Sequence, residues 1–344
     1  MRAAVLKAPG LMETEDYPDP EVPRGGALLE ILACAVCGTD IKMLAQGHRD
    51  LHLPRILGHE MVGRIIEIDG DSPLSEGVRV QIWPAIACGG CRPCLKQKDN
   101  LCPEIKIMGF NSDGGFAQLL ALPGQSLSGG VNLLPSGADP CLAALAEPLA
   151  CCINGQEQAA VQRTDRVLIC GGGPIGALHA LLAECRGCEK IIVTEKIPHR
   201  ISLLRAHTGA NVVDLAEDPG REALIDEIGK AGVDVILTAT PEARLDGDLF
   251  KLLSPGGRLC IFSGPAPESR REQVDFSSIH YHELALTGAY GCTSRQNRQA
   301  MELLASGRIK ADWLITRKTS LKGINDAFSH SRERTGMKSV VCMS

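Results

Sequence analysis

"RVLICGGGPIGALHALLAECRG", Arg166 to Gly187, contains the change of pattern that decides the fold. Val167–Cys170 is a short, unbroken apolar run, as expected of a strand buried on both faces. It leads into Gly171-Gly172-Gly173-Pro174-Ile175-Gly176 and then an apolar helix. G-x-G-x-x-G at a strand-to-helix turn lets the backbone approach a pyrophosphate, and the helix start presents free amides to it. About twenty residues on, "KIIVTE" ends in Glu195, where ribose hydroxyls are expected. The runs "NVVD", "VDVILTAT", "GRLCIFSG" and "LALTGAYG" continue the alternation of strand and helix. The spacing predicts an α/β fold with a doubly wound, parallel Rossmann sheet. Gly171 to Gly176 and Glu195 are the candidate cofactor contacts. Glu195 favours NAD, because a 2′-phosphate there would meet like charge. Lys196 and Arg200 are nearby cations that can hold that phosphate, and Arg200 is counted among the cofactor contacts.

Working outward, the 15 cysteines are the next anomaly. An odd number cannot pair completely within one chain, so a disulfide framework is not expected. In "CGGCRPCLKQKDNLC", Cys88, Cys91, Cys94 and Cys102 form C-x2-C-x2-C-x7-C. Gly89 and Gly90 permit tight reversals and Pro93 fixes a turn, so four thiolates can converge. Four sulfurs around a tetrahedral Zn²⁺ make a closed, structural site. An iron–sulfur cluster fits this polar loop less well. Cys185 and Cys188 have the C-x-x-C spacing of a redox pair, but they end the first Rossmann helix, where Gly187 serves as a cap; packing is the expectation.

Composition bounds the rest. At 344 residues, 44% apolar and 22% charged, the chain has material for two cores, and 3% aromatics makes those cores aliphatic. A formal charge of −5 leaves no footprint for nucleic acid or an acidic membrane. "MRAAVLKAPG" is too poor in apolar residues for a signal peptide, and no apolar stretch is long enough to span a bilayer. A soluble, cytoplasmic protein is expected. The charged "SRERTGMK" (331–338) and "RREQ" (270–273) read as solvated loops.

Two loops near the start carry further chemistry: "CGTD", Cys37–Asp40, and "GHE", Gly58–Glu60. With the Cys lobe and the Rossmann fingerprint, they resemble the zinc-dependent medium-chain alcohol and polyol dehydrogenases. The resemblance covers essentially the whole chain. "MRAAVLKAPG" is similar to the family's first hairpin, "GGFAQLLALP" to its GGFAEY-like strand, "LAEPLACCING" to the helix entering the cofactor domain, and "LKGINDAF" to the closing segment.

The resemblance implies a GroES-like distorted β-barrel catalytic domain, residues 1–146 and 286–344, with a structural zinc lobe at 84–104. It implies a Rossmann NAD-binding domain at 147–285. Two zinc ions per subunit follow. Cys88, Cys91, Cys94 and Cys102 hold the structural one. Cys37 and His59 hold the catalytic one, with Glu60 and Glu147 as ligands or as partners of water there. Glu147 stands where ethanol-type members have a second Cys, as in the sorbitol and threonine dehydrogenase branches; a carboxylate makes a harder site. Which of Glu60 and Glu147 ligates at rest is open. Thr39 is placed to take the substrate's hydroxyl proton, and Asp40 to orient His59. Taken alone, "GTD" could simply start a helix. Lys42 stands where many relatives have a relay His.

The implied activity is hydride transfer between NAD(H) and a small polar secondary alcohol, a polyol or sugar alcohol first. A threonine-like amino alcohol is the alternative. A zinc-free reductase would lack the Cys lobe, and a non-catalytic NAD(H)-binding protein on the same fold would be marked only by decayed ligands. Relatives pair through the strand that corresponds to "LALTGAYG", so a homodimer or homotetramer is implied.

Overall fold

In the computed structural model every residue is described except 219–220, 243–246, 265–273 and 344, so the "RREQ" loop lies outside the described residues. The chain divides into two units: Met1–Ala150 with Cys292–Ser344, and Cys151–Gly291.

The first unit is built on a seven-stranded sheet. Its centre is Ala27–Ala35, "ALLEILACA", whose alternating half of the side chains faces an aliphatic core containing Leu29, Ile31, Met61, Ile65 and Phe116. This strand pairs antiparallel with Glu60–Ile68 and with Lys338–Cys342. In both ladders Ala35 is a partner, opposite Glu60 on one side and Val340 on the other. Three sequence-distant segments therefore end side by side, and the Val36 amide donates to the Ser339 carbonyl at 2.9 Å. A second, three-stranded sheet carries the opening hairpin.

The second unit is a six-stranded, wholly parallel sheet. Numbered within the unit, its strands run 3-2-1-4-5-6, the order of a dinucleotide-binding sheet. Strand one is Arg166–Cys170, flanked by Lys190–Glu195 and Val233–Thr238. The helix Pro174–Arg186 follows it and ends at Gly187, whose φ of +76° closes the helix without Cβ strain. Cys188 is half-buried and its thiol donates to the Gln162 carbonyl at 3.4 Å, and every cysteine of the chain is a free thiol. Among the described residues no helix is long and apolar enough to cross a membrane.

Candidate metal centre and nucleotide turn

Cys37 follows the central strand by two residues and precedes the helix Gly38–Gln46. Its backbone amide donates to Asp40 Oδ2 at 2.9 Å, so Asp40 closes the helix start from inside. The helix-start reading of "GTD" therefore holds alongside any chemical role. Asp40 is fully buried, and its other oxygen lies 3.3 Å from His59 Nδ1. Burial pulls the His59 imidazole down, but the Asp40 carboxylate and the Cys37 thiol outweigh it and hold the ring well above its ordinary pKa.

Register brings the third group. Because Ala35 faces Glu60, the "GHE" loop opens beside Cys37. Ligand atoms of Cys37, His59 and Glu60 all lie within 4.8 Å of one another. Glu60 Oε1 accepts from Lys338 Nζ at 2.6 Å, while Oε2 is buried with no hydrogen-bond partner among the described residues. A buried carboxylate oxygen left open beside a thiol and an imidazole suits a divalent cation, because solvent does not satisfy it. The donor set, one sulfur, one nitrogen and one oxygen, is one that zinc accepts.

Lys338 is the residue that sequence reasoning missed. It ends "SRERTGMK", the stretch expected to be solvated, yet only 5% of it is exposed. The correction is one of register: Lys338 opens the Lys338–Cys342 strand, two residues before the Val340–Ala35 pair, and so meets Glu60 across the ladder. Burial lowers the Lys338 pKa, but Glu60 first, then Cys37, and also Glu147, raise it above its ordinary value. No local pattern distinguishes this lysine from its charged neighbours.

Glu147 is buried in the first turn of the helix Ala146–Gln158. Its carboxylate does not join the Cys37, His59 and Glu60 atoms; it lies within 4.8 Å of the Cys292 thiol instead. Thr39 is half-buried on the helix that starts at Cys37, while Lys42, His48 and His52 are exposed. Phe110 covers the imidazole, its ring centroid 5.2 Å from that of His59 and 5.5 Å from that of His48.

The four lobe thiols also converge: ligand atoms of Cys88, Cys91, Cys94 and Cys102 lie within 4.8 Å of one another. Gly89, at φ +73°, makes the reversal, and Pro93 sits in the one-turn helix Arg92–Leu95. Cys88 is exposed but Cys102 is buried, so the lobe is less open than its polar sequence suggests. Ser294 Oγ donates to Asp99 Oδ2 at 2.6 Å, tying the lobe to the helix Ser294–Ala305.

In the second unit, Gly171 takes φ +103° and a Cβ on Gly176 would collide with the Gly171 carbonyl oxygen, so the fingerprint glycines are needed for the turn itself. Gly173 precedes the helix, with Pro174 and Ile175 in its first turn. Glu195 Oε2 accepts from the Gly172 amide at 3.1 Å, and Oε1 from the Lys196 and Ile197 amides at 2.7 and 3.1 Å. Lys196 is paired with Glu242 at 2.6 Å. Arg200 is buried, its Nη1 3.3 Å from where a Cβ on Gly173 would stand.

Two family models match this chain: the alcohol dehydrogenase GroES-like domain over residues 23–129 and the zinc-binding dehydrogenase domain over 174–306. The chain belongs to the zinc-dependent medium-chain dehydrogenases. This dehydrogenase is 28% identical over 305 residues to L-galactonate-5-dehydrogenase of Escherichia coli (strain K12), covering 87% of this chain and 86% of that one. It is 28% identical over 348 residues to an L-threonine 3-dehydrogenase of Mesorhizobium japonicum, covering 99% and 98%. Among solved structures, one described as a zinc-binding dehydrogenase from Sinorhizobium meliloti 1021, bound to NADP, is 29% identical with a TM-score of 0.90, covering 99% and 98%. The dehydrogenase is thus an oxidoreductase with a GroES-like domain and a Rossmann-type domain, as the sequence resemblance implied.

Proposed function

We propose that this dehydrogenase transfers a hydride between NAD(H) and a small polar secondary alcohol, a polyol or sugar alcohol. The observation that carries the reading is the buried Glu60 carboxylate, half-satisfied by Lys338 and open toward Cys37 and His59. Zinc, when bound, supplies a Lewis acid for the alcohol oxygen, and the nicotinamide supplies the hydride acceptor. Cys37, His59 and Glu60 would hold that zinc, with Glu147, beside Cys292 in this structure, as the alternative carboxylate, and the four lobe thiols a second, structural one. The chain's own groups do the rest. Asp40 faces His59 Nδ1 and so leaves Nε2 as the ligand atom. Lys338 Nζ sets a positive charge against Glu60 Oε1 and leaves Oε2 facing Cys37 and His59. Thr39 takes the hydroxyl proton of the substrate.

A carboxylate in place of the second thiolate gives a harder site, which suits oxygen-rich chains. The galactonate dehydrogenase, by its name, acts on a polyhydroxylated acid. The second reading, an amino alcohol, is favoured by the threonine dehydrogenase relatives. For the cofactor, Glu195 at the end of its strand supports NAD, with its rival in Arg200 beside Gly173. Gly171 to Gly176 would bind the pyrophosphate, and Arg200 is the cation that could hold a 2′-phosphate. The edge strand Ala285–Gly288, with Leu286 exposed, supports association of two copies.

The test is kcat/KM over matched polyols, L-threonine and 2-butanol, each with NAD⁺ and NADP⁺. A polyol with NAD⁺ should lead by about tenfold, worth about 1.4 kcal/mol of transition-state binding. A lead for L-threonine establishes the second reading, a lead for 2-butanol removes both, and a preference for NADP⁺ rejects the cofactor assignment.

A further inference from the structure

Away from both metal clusters, Cys141 and Cys342 bring their sulfurs to 3.4 Å across 201 residues of sequence. Neither takes part in the chemistry proposed above. Cys141 is buried in the short helix Pro140–Ala143, capped by Asp139, which accepts from the Cys141 amide at 2.8 Å. Cys342 ends the Lys338–Cys342 strand and is half-exposed. The parallel ladder pairs Lys318 with Val340 and Ser320 with Cys342, so Lys318 and Cys342 share one face of the sheet. Lys318 Nζ lies 3.3 Å from Asp139 Oδ2. A partly exposed thiol and a buried one thus stand in contact beside a cation.

We propose that Cys342 and Cys141 form a hydroperoxide-sensitive dithiol site, with Cys342 the attacking thiol and Cys141 the resolving one. The charge pattern agrees with the geometry. The Cys141 contact, followed by Lys318, lowers the Cys342 pKa to about 7, whereas the Cys342 contact and burial raise that of Cys141. Cys342, the less buried of the two, is thus the thiol whose surroundings favour the thiolate, as a reactive cysteine requires.

The steps balance with a hydroperoxide as oxidant. The Cys342 thiolate attacks a peroxide oxygen; an S–O bond forms, the O–O bond breaks, and the leaving oxygen departs protonated. Hydrogen peroxide is reduced to water and Cys342 is oxidised to the sulfenic acid. The Cys141 sulfur then attacks the Cys342 sulfur; the S–S bond forms, the S–O bond breaks, and hydroxide leaves with the Cys141 proton as a second water. The sulfurs need close by only about 1.4 Å to reach disulfide length. The cross-link joins the segment just before the Ala146–Gln158 helix to the strand that carries Lys338.

The test uses zinc-loaded protein treated with stoichiometric hydrogen peroxide, blocked with an alkylating reagent and mapped as peptides. A Cys141–Cys342 linked peptide should form and be lost on reduction. Cys141→Ser should leave a dimedone-reactive sulfenic acid on Cys342, and Cys342→Ser should leave Cys141 unoxidised. In untreated protein at pH 7, Cys342 should alkylate about tenfold faster than the comparably exposed Cys188, and Lys318→Gln should slow it severalfold. Absence of the linked peptide, or oxidation of Cys141 at an unchanged rate in Cys342→Ser, overturns the proposal.

Discussion

The Lys338 ammonium is the only cation in direct contact with Glu60 among the described residues, and both groups are buried. Such a pair adds little net stability over an apolar pair, but removing one partner strands the other. Lys338→Met should therefore destabilise the protein by about 3–5 kcal/mol, because Glu60 keeps its desolvation cost without a counter-charge. Adding Glu60→Gln should recover much of that loss, since the stranded charge is gone. Urea unfolding of the single and double variants measures both. A loss below about 1 kcal/mol in Lys338→Met would mean that the pair does not set the charge of the site.

Among the elements, the first Rossmann helix holds a group with a measurable pH signature. His179 is fully buried, neither ring nitrogen has a hydrogen-bond partner among the described residues, and Phe262 packs edge-on at 4.6 Å. Burial alone pushes its pKa from 6.5 down to about 3. Below pH 6.5 the unfolded chain takes up a proton that the folded chain refuses, so stability is lost as pH falls, by about 1.4 kcal/mol per unit. Above pH 6.5 both states are neutral and the contribution disappears. His179→Leu removes this term. Between pH 7.5 and 5.0 the difference in unfolding free energy should move about 2 kcal/mol in the variant's favour. Parallel pH profiles for the two proteins would show that His179 is protonated in the fold.

For the whole molecule, the two units divide the chemistry. The metal-ligand candidates Cys37, His59, Glu60 and Glu147 belong to the first, and the fingerprint turn with Glu195 to the second. His59→Ala should abolish hydride transfer while NADH binding, followed by nicotinamide fluorescence, stays within about twofold. An active His59→Ala protein without metal would remove the zinc from the reaction.

That division also separates what was legible in the chain from what was not. The strand, glycine turn and helix of 166–187 were readable because each depends on backbone geometry over a few residues: Gly171 at φ +103°, Gly187 at φ +76°. The convergence of Cys88, Cys91, Cys94 and Cys102 was readable for the same reason, since one short loop supplies all four. Cys37, His59 and Glu60 were identified by likeness to a family; that they meet follows from the Ala35–Glu60 register, which residues far apart in sequence set together. Tertiary structure alone placed Lys338 against Glu60 across 278 residues, Glu147 beside Cys292, and Cys342 against Cys141. Local sequence determines where the backbone turns; only packed strands in register decide which buried charges and thiols meet, because that choice is made by the burial of the whole sheet.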